Sequence, residues 1–417
     1  MASIGIMGHG VVGSGVVEVL TTNGSSIEKR AGQPVEIKRI LDLRDFEDSP
    51  YRDLFTKNPD DILEDPEISI VVEVLGGSEP AYTYVKKAIL SGKHVVTSNK
   101  ELVAQYGAEL LKLAKEKDVN FLFEASVGGG IPIIRPLSEC LAANEITEIF
   151  GIINGTTNYI LTKMKVEGIG FEEALYDAQQ KGYAERDPSA DIEGHDAARK
   201  LAILASIAFD ERVDYRHIHT EGITSITKED TIYAEYMGKV IKLLAICRSI
   251  GNQLMLRVSP VMIDKLSPLA NVDDVFNAIM VRGNAIGDVM FYGRGAGKLP
   301  TASAVVGDII DAVKHLKTKK KSIWTRDNDD NVMDIQETET RYFVRVEYDD
   351  QNKTVDAVKS IFKDCQLIFC NDELLKKQLG FVSAPAKEKE FTSLFEALAG
   401  HRDIKSVKSK IRVEYGI

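Results

Sequence analysis

Lys200 and Asp196 stand four residues apart, so on a helix their side chains share one face, and Ile203 and Ile207 continue that face. From Leu201 to Phe209 the stretch is apolar nearly all round, the pattern of a buried helix. Ahead of it lies a loop crowded with acids: Glu185, Asp187, Asp191, Glu193 and Asp196. A lysine at the edge of a dry interior, with a carboxylate one turn away, suits a general acid, because burial lowers an ammonium's pKa toward the working range. The same two residues also suit an ordinary ion pair at a helix start. Both readings stand on this stretch alone.

A second chemistry is written near the N-terminus. Ser3 to Met7 reads as a short strand, followed by Gly8-His9-Gly10-Val11-Val12-Gly13 and an apolar helix through Leu20. Strand, glycine turn and helix is the context in which Gly-x-Gly-x-x-Gly holds a dinucleotide. Gly8, Gly10 and Gly13 permit a tight turn and close approach to a pyrophosphate, and the helix start at Val11 and Val12 offers it N–H groups. Such turns also occur as plain structure. The next strand, Val35 to Leu41, ends at Asp42, where an acid is expected for the ribose hydroxyls. Arg44 would instead meet a 2′-phosphate, so Asp42 points to NAD, Arg44 to NADP, and the choice stays open.

The elements that must position these groups alternate. After the first two strands come strands at Ile68 to Leu75, His94 to Thr97 and Val119 to Glu124, with helices from about Ala81 to Leu90 and Leu102 to Lys117. This is an α/β chain with a doubly wound parallel sheet, whose functional residues gather at the carboxyl ends of strands. Gly76-Gly77 and Ser98-Asn99-Lys100-Glu101 fall at such ends. Lys100 is thus a candidate site lysine, or one more surface lysine.

A length of 417 residues allows two or three domains, and 44% hydrophobic and 28% charged residues are ordinary for a globular protein. Fifty-two basic and sixty-three acidic residues leave a net charge of −11, which argues against a nucleic-acid binder. The run Lys317 to Lys321 reads as a solvated helix end or linker. The N-terminus enters a strand at once, leaving no signal peptide, and no apolar run reaches bilayer length. Cys140, Cys247, Cys365 and Cys370 are scattered, which suits reduced, mostly buried thiols in a cytoplasmic protein and no transition-metal site.

Six stretches together carry a resemblance. They are Glu73-Val74-Leu75-Gly76-Gly77 with Glu79-Pro80, Gly92 to Lys100, Glu124 to Pro132, Asn154-Gly155-Thr156-Thr157-Asn158-Tyr159-Ile160-Leu161, Gly182 to Lys200, and Val289 to Gly297 with Pro300-Thr301. In order and spacing, over about the first 320 residues, the chain resembles homoserine dehydrogenases of the longer bacterial type. The resemblance implies reversible reduction of aspartate-4-semialdehyde to homoserine with NAD or NADP, in threonine, methionine and isoleucine biosynthesis. It implies Lys200 as proton donor to the carbonyl oxygen and Lys100 as a second catalytic lysine beside the nicotinamide. Glu185 and Asp196 would be substrate carboxylates, Glu185 holding the α-ammonium, with Asp191 supporting the loop and Gly155-Thr156 forming a substrate-side turn. Gly76, Gly182 and Gly297 would line the cofactor. Glu124 and the backbone of Val127, Gly129 and Ile131 resemble a structural monovalent-cation site, for a sodium ion. A homodimer or homotetramer is implied as the assembly.

The expected organisation is a Rossmann-type dinucleotide domain over 1–132, with helix 300–316 packing back on it. An α+β substrate and dimerisation domain over 133–299 and a linker over 317–340 follow. The order of pieces after Arg341 suits a ferredoxin-like βαββαβ unit over 341–417. By position it resembles an ACT domain, but Asp350-Gln351-Asn352-Lys353-Thr354 lacks the Asp-x-Pro-Gly of effector-binding ones, so a structural role stands beside threonine feedback. Two other functions fit part of the pattern. Another NAD(P)-dependent oxidoreductase shares the glycine motif without needing both lysines and the acidic loop. A dinucleotide sensor would not need Lys200 at the mouth of a buried helix.

Overall fold

The computed structural model describes residues 1–318, 324 and 331–417. Their contacts divide them into two units: 1–146, 199–216 and 282–318 with Trp324 in one, and 147–198, 217–281 and 331–417 in the other. The expected bounds at 132 and 299 both lie within the first of these units, and one division cuts the helix His195–Phe209 after Ala198.

The first unit is built on six strands: β1 (Ala2–Met7), β2 (Val35–Leu41), β3 (Phe55–Thr56), β4 (Ile68–Glu73), β5 (His94–Thr97) and β6 (Phe121–Leu122). All pair in parallel, in the order β3-β2-β1-β4-β5-β6. The order reverses direction between β1 and β4, so a crevice opens at their carboxyl ends, the ligand position of such sheets. β1 and β4 are almost continuously buried because helices cover both faces. One of these is Lys298–Lys314, whose Val305, Val306, Ile309 and Val313 share a core with Val16, Val17 and Leu20 of the helix Val11–Thr22.

The sixth strand is shorter than Val119 to Glu124. Glu124 begins a single 3-10 turn instead. Its N–H donates to Asp308 Oδ2 at 2.8 Å, and its carboxylate accepts the N–H groups of Ile133, Ile134 and Arg135 at 2.6, 2.8 and 2.9 Å. Those bonds draw the chain out of the sheet and keep Ile133 to Arg135 with the first unit.

In the second unit the strands lie in the order Ile146–Ile152, Lys239–Ile250, Gln253–Asp264, Ser406–Val413, Glu339–Glu347, Gln378–Val382 and Gln366–Ile368. Neighbours are antiparallel except Gln253–Asp264 with Ser406–Val413, which run parallel with Val261 opposite Arg412 and Met262 opposite Val413. The last four strands, with helices Gln351–Ile361 and Glu388–Ala399, follow the order βαββαβ. Asp350 caps the first of these helices, accepting the N–H groups of Asn352 and Lys353 at 3.0 and 3.2 Å.

Buried charge ties these strands to the rest of the unit. Arg412 donates to Glu221 and Glu388, both at 2.7 Å, Arg248 to Glu414 at 2.9 Å, and Arg345 to Asp230 at 2.9 Å. Arg257, 1% exposed, also pairs with Glu414.

Two expectations need correction. Of the four cysteines, all free, only Cys247 is buried; Cys140 is exposed and Cys365 and Cys370 are intermediate. The expected linker 317–340 is no plain connector either. Residues 319–323 and 325–330, with most of the Lys317 to Lys321 run, lie outside the described residues. Trp324, however, is buried against Gly107, and Leu254 exchanges hydrogen bonds with Asn331 and Met333 at 2.7 and 2.9 Å.

Candidate functional site

At the carboxyl end of β1, Gly8 has φ +104° and its N–H donates to Leu41 O at 2.8 Å. A Cβ on Gly13 would stand 2.0 Å from Gly8 O, so the helix starting at Val11 can sit this close only with glycine there. Nothing lies within 4 Å of where a Cβ on Gly10 would be, no side chain caps the helix, Val11 is exposed and Val12 half-buried. An open helix N-terminus beside a cramped glycine turn fits a dinucleotide pyrophosphate. Gly76, after β4, is exposed.

Asp42 follows β2. It accepts His9 N–H at 2.8 Å and Arg44 N–H at 3.0 Å, and the Arg44 guanidinium grips it through Nε and Nη2 at 3.0 and 2.9 Å. That guanidinium holds the Asp42 carboxyl far below the usual carboxylate range, so it is ionised. An open cleft of about 500 Å³ lies beside it, lined by Asp42, Arg44, Phe46, Arg52, Phe55 and Lys57 among others. His9 stands edge-on to both Phe46 and Phe55 with centroids 5.0 Å away, and the two phenyl rings stack at 4.5 Å.

At the ends of β4 and β5, buried Glu73 accepts Leu75 N–H at 2.8 Å, the Thr97 hydroxyl at 2.5 Å and Asn99 Nδ2 at 3.4 Å. Burial pushes its carboxyl above the ordinary range. Asn99 also donates to Gly77 O at 2.6 Å, and its Oδ1 accepts Leu102 N–H at 3.1 Å. That cap starts the helix Lys100–Glu116, which makes half-buried Lys100 its first residue.

In the second unit Asn154 caps the helix Gly155–Glu167 by accepting Thr157 N–H at 2.9 Å. Its Nδ2 donates to Asp191 Oδ1 at 2.7 Å and to Asp196 Oδ2 at 2.9 Å, so two carboxylates of the acidic loop meet at one amide. Thr156 Oγ1 stands 2.7 Å from Tyr183 O and 3.2 Å from Asp191 Oδ2. The Tyr183 and Tyr159 rings lie 4.9 Å apart, which ties the start of the loop to the same helix. A Cβ on Gly155 would come within 3.1 Å of Val275 O. Gly182 and Glu185 are exposed, and Glu185 O accepts Gln179 Nε2 at 3.2 Å. The acids do not share one environment, since Glu185 faces solvent while Asp196 is 2% exposed. Lys200, one turn after Asp196 on the helix His195–Phe209, is 9% exposed.

The glycine run 128–130 interlocks with 294–295: a Cβ on Gly129 would stand 2.2 Å from Gly295 O, and Gly130 N–H donates to Arg294 O at 3.1 Å. Gly297 caps the helix Lys298–Lys314. The Glu124 carboxylate is taken up by the three amides named above. Among the described residues no hydrogen bond ends on the buried carbonyls of Val127, Gly129 or Ile131, which fits a cation held by backbone oxygens. No cluster of three or more His, Cys, Asp or Glu able to hold a metal occurs among the described residues. Asp308, beside Glu124 and Arg135, is driven by burial to a pKa of about 7. Nor is any described helix long and apolar enough to cross a membrane.

Sequence reasoning quoted Asn154, Asn99 and Glu73 within longer stretches without giving them a role, and passed over the ring cluster of His9, Phe46 and Phe55. The two asparagines carried a signal, since each immediately precedes a helix where a capping residue is expected. The rings carried none.

Comparison with known proteins covers both units. The family model for homoserine dehydrogenase matches residues 132–310, and that for the homoserine dehydrogenase NAD-binding domain matches 8–124. A homoserine dehydrogenase of Bacillus subtilis is 38% identical over 99% of this chain and 98% of its own. A crystal structure of a homoserine dehydrogenase from Thiobacillus denitrificans, 38% identical, superposes with TM-score 0.89 over 99% of this chain and 98% of that one. A hyperthermophilic archaeal homoserine dehydrogenase in complex with NADPH is similar at 31% identity and TM-score 0.64, over 75% of this chain and 97% of that one. The glycine turn at β1, the acids gathered by Asn154 and the buried Lys200 therefore sit in a chain that belongs to the homoserine dehydrogenase family.

Proposed function

We propose that the protein catalyses the reversible NAD(P)-dependent reduction of aspartate-4-semialdehyde to homoserine. The observation that carries this reading is the pairing of Asp191 and Asp196 on Asn154, one helical turn before buried Lys200. An amino-acid substrate brings an α-ammonium, and two carboxylates provide acceptors for it. Glu185, exposed at the start of the loop, adds a third acid for the same charge. The bound nicotinamide supplies or takes the hydride. Lys200 delivers the proton to the carbonyl oxygen in reduction and takes it back in oxidation. Lys100, first residue of a helix capped by Asn99, serves as the second lysine of the site. Gly8, Gly10 and Gly13 with the N–H groups from Val11 onward hold the pyrophosphate. Gly76, Gly182 and Gly297 line the cofactor, Gly155 and Thr156 the substrate.

Assaying the purified protein with homoserine and either NAD or NADP, following absorbance of the reduced nicotinamide, tests this directly. Turnover with at least one cofactor is expected. Turnover with neither overturns the reading.

The carbonyls of Val127, Gly129 and Ile131 support a structural sodium ion beside Glu124. Residues 341–417 are proposed as an ACT-like unit with a bracing role, supported by the half-buried pair Arg412–Glu221 and the buried pair Arg257–Glu414. A cytoplasmic homodimer or homotetramer is the proposed state, to be checked by light scattering on the eluted protein.

A further inference from the structure

We propose that Asn154 is the positioning residue that joins Asp191 and Asp196 into one clamp for the substrate ammonium. This rests on the reading that those two acids bind the substrate.

A side-chain amide has two N–H hydrogens and one oxygen, and Asn154 uses all three. Its hydrogens go to Asp191 Oδ1 at 2.7 Å and Asp196 Oδ2 at 2.9 Å, and its oxygen accepts Thr157 N–H at 2.9 Å. These partners fix which way the amide faces. Reversed, its oxygen would oppose two carboxylates and its NH2 a backbone donor. The residue is buried, so water cannot readily substitute for any of the three bonds.

Two carboxylates brought together repel. A donor shared between them offsets that repulsion by giving each a hydrogen bond. The two acids come from different places, Asp191 from the short helix Ser189–Ile192 and Asp196 from the first turn of the helix His195–Phe209. Asn154 stands at the start of a third helix, and its cap locks the amide that joins them. The clamp is thus set before substrate arrives, and its spacing belongs to Asn154 rather than to either acid.

Serine and aspartate are both good helix caps, which separates the clamp from the cap. Asn154→Ser keeps a cap but replaces two N–H donors with one shorter-reaching hydroxyl, so the two acids can no longer share a donor. Asn154→Asp keeps the cap and the shape but sets a third carboxylate against the other two. For Asn154→Ser we expect homoserine KM to rise about tenfold or more, the usual loss of a hydrogen bond to a charged group. Nicotinamide KM and melting temperature should stay near wild type, and kcat should fall less than KM rises. Asn154→Asp should be worse than Asn154→Ser despite its closer shape. A homoserine KM in Asn154→Asp at or below that of Asn154→Ser overturns the proposal, because a residue that merely caps would prefer the isostere. Should Asn154→Asp not fold, an unchanged homoserine KM in Asn154→Ser overturns it alone. Asp191→Asn and Asp196→Asn run alongside. If neither raises homoserine KM, the assignment of those acids to substrate has failed. If they do and Asn154→Ser does not, the clamp alone has failed.

Discussion

Asp42 and Arg44 form a two-point ion pair at the end of β2, Oδ1 to Nε at 3.0 Å and Oδ2 to Nη2 at 2.9 Å. The acid that would take the ribose hydroxyls and the base that would take a 2′-phosphate are therefore bonded to each other. Arg44, with 62% of its side chain exposed, is the half free to turn.

That pairing sets an expectation for cofactor choice. With Asp42 ionised, NAD should be used at least as well as NADP. Asp42→Ala removes repulsion of the phosphate and releases Arg44 toward it, so the ratio of kcat/KM values should move toward NADP. If that ratio stays put, or the wild type already prefers NADP about tenfold, Arg44 is the selector.

Lys200→Ala should lower turnover by about 10²–10⁴-fold, the range for a lost general acid. Cofactor binding, followed by nucleotide titration, should be nearly kept. Loss of cofactor binding instead would move Lys200 to the nucleotide.

Glu185→Gln should act on substrate binding, raising homoserine KM several-fold with turnover little changed. A charge-assisted hydrogen bond is worth about 1.5–3 kcal/mol, and solvent exposure puts this one toward the low end. An unchanged KM would leave Glu185 no share in holding the ammonium.

Asp308 gives a pH dependence whose sign is fixed. Burial raises its carboxyl from 3.8 to about 7 in the folded protein, so the folded state holds a proton that the unfolded chain has released. Stability is fully present below the unfolded value and is lost as pH rises through that window to about 7. Asp308→Asn cannot ionise and should escape the loss. The melting temperature of the variant minus that of the wild type should therefore increase from pH 4.5 to pH 7.5. A difference that is flat or falling would place the Asp308 pKa near normal.

The parts legible from sequence were those with a local signal. Val35 to Leu41 forms a strand ending before Asp42 because alternation and the following polar run are local. The helix His195–Phe209 was readable because its buried face repeats. The sixth strand was overread, since nothing in Val119 to Glu124 reveals that Glu124 will satisfy amides nine to eleven residues ahead. Asn154 meets acids 37 and 42 residues away through side-chain bonds, and such bonds leave no periodic trace. Glu185 and Asp196 looked alike as acids in one loop. Only packing separates the exposed one from the buried one.

The parallel pairing of Val261 with Arg412 has a consequence for how the molecule is made. The strand Gln253–Asp264 is laid down well before its parallel neighbour Ser406–Val413. Until that neighbour arrives, the Val261 and Met262 end of the earlier strand's edge lacks a partner, while Arg257 and Val258 are already paired with His219 and Thr220. Arg257 waits as well, because its partner Glu414 follows Ser406–Val413. A chain that stopped before Ser406 would keep that stretch unpaired and leave Arg257 without Glu414. Such a product is expected to aggregate or be degraded rather than persist as a slightly weaker enzyme.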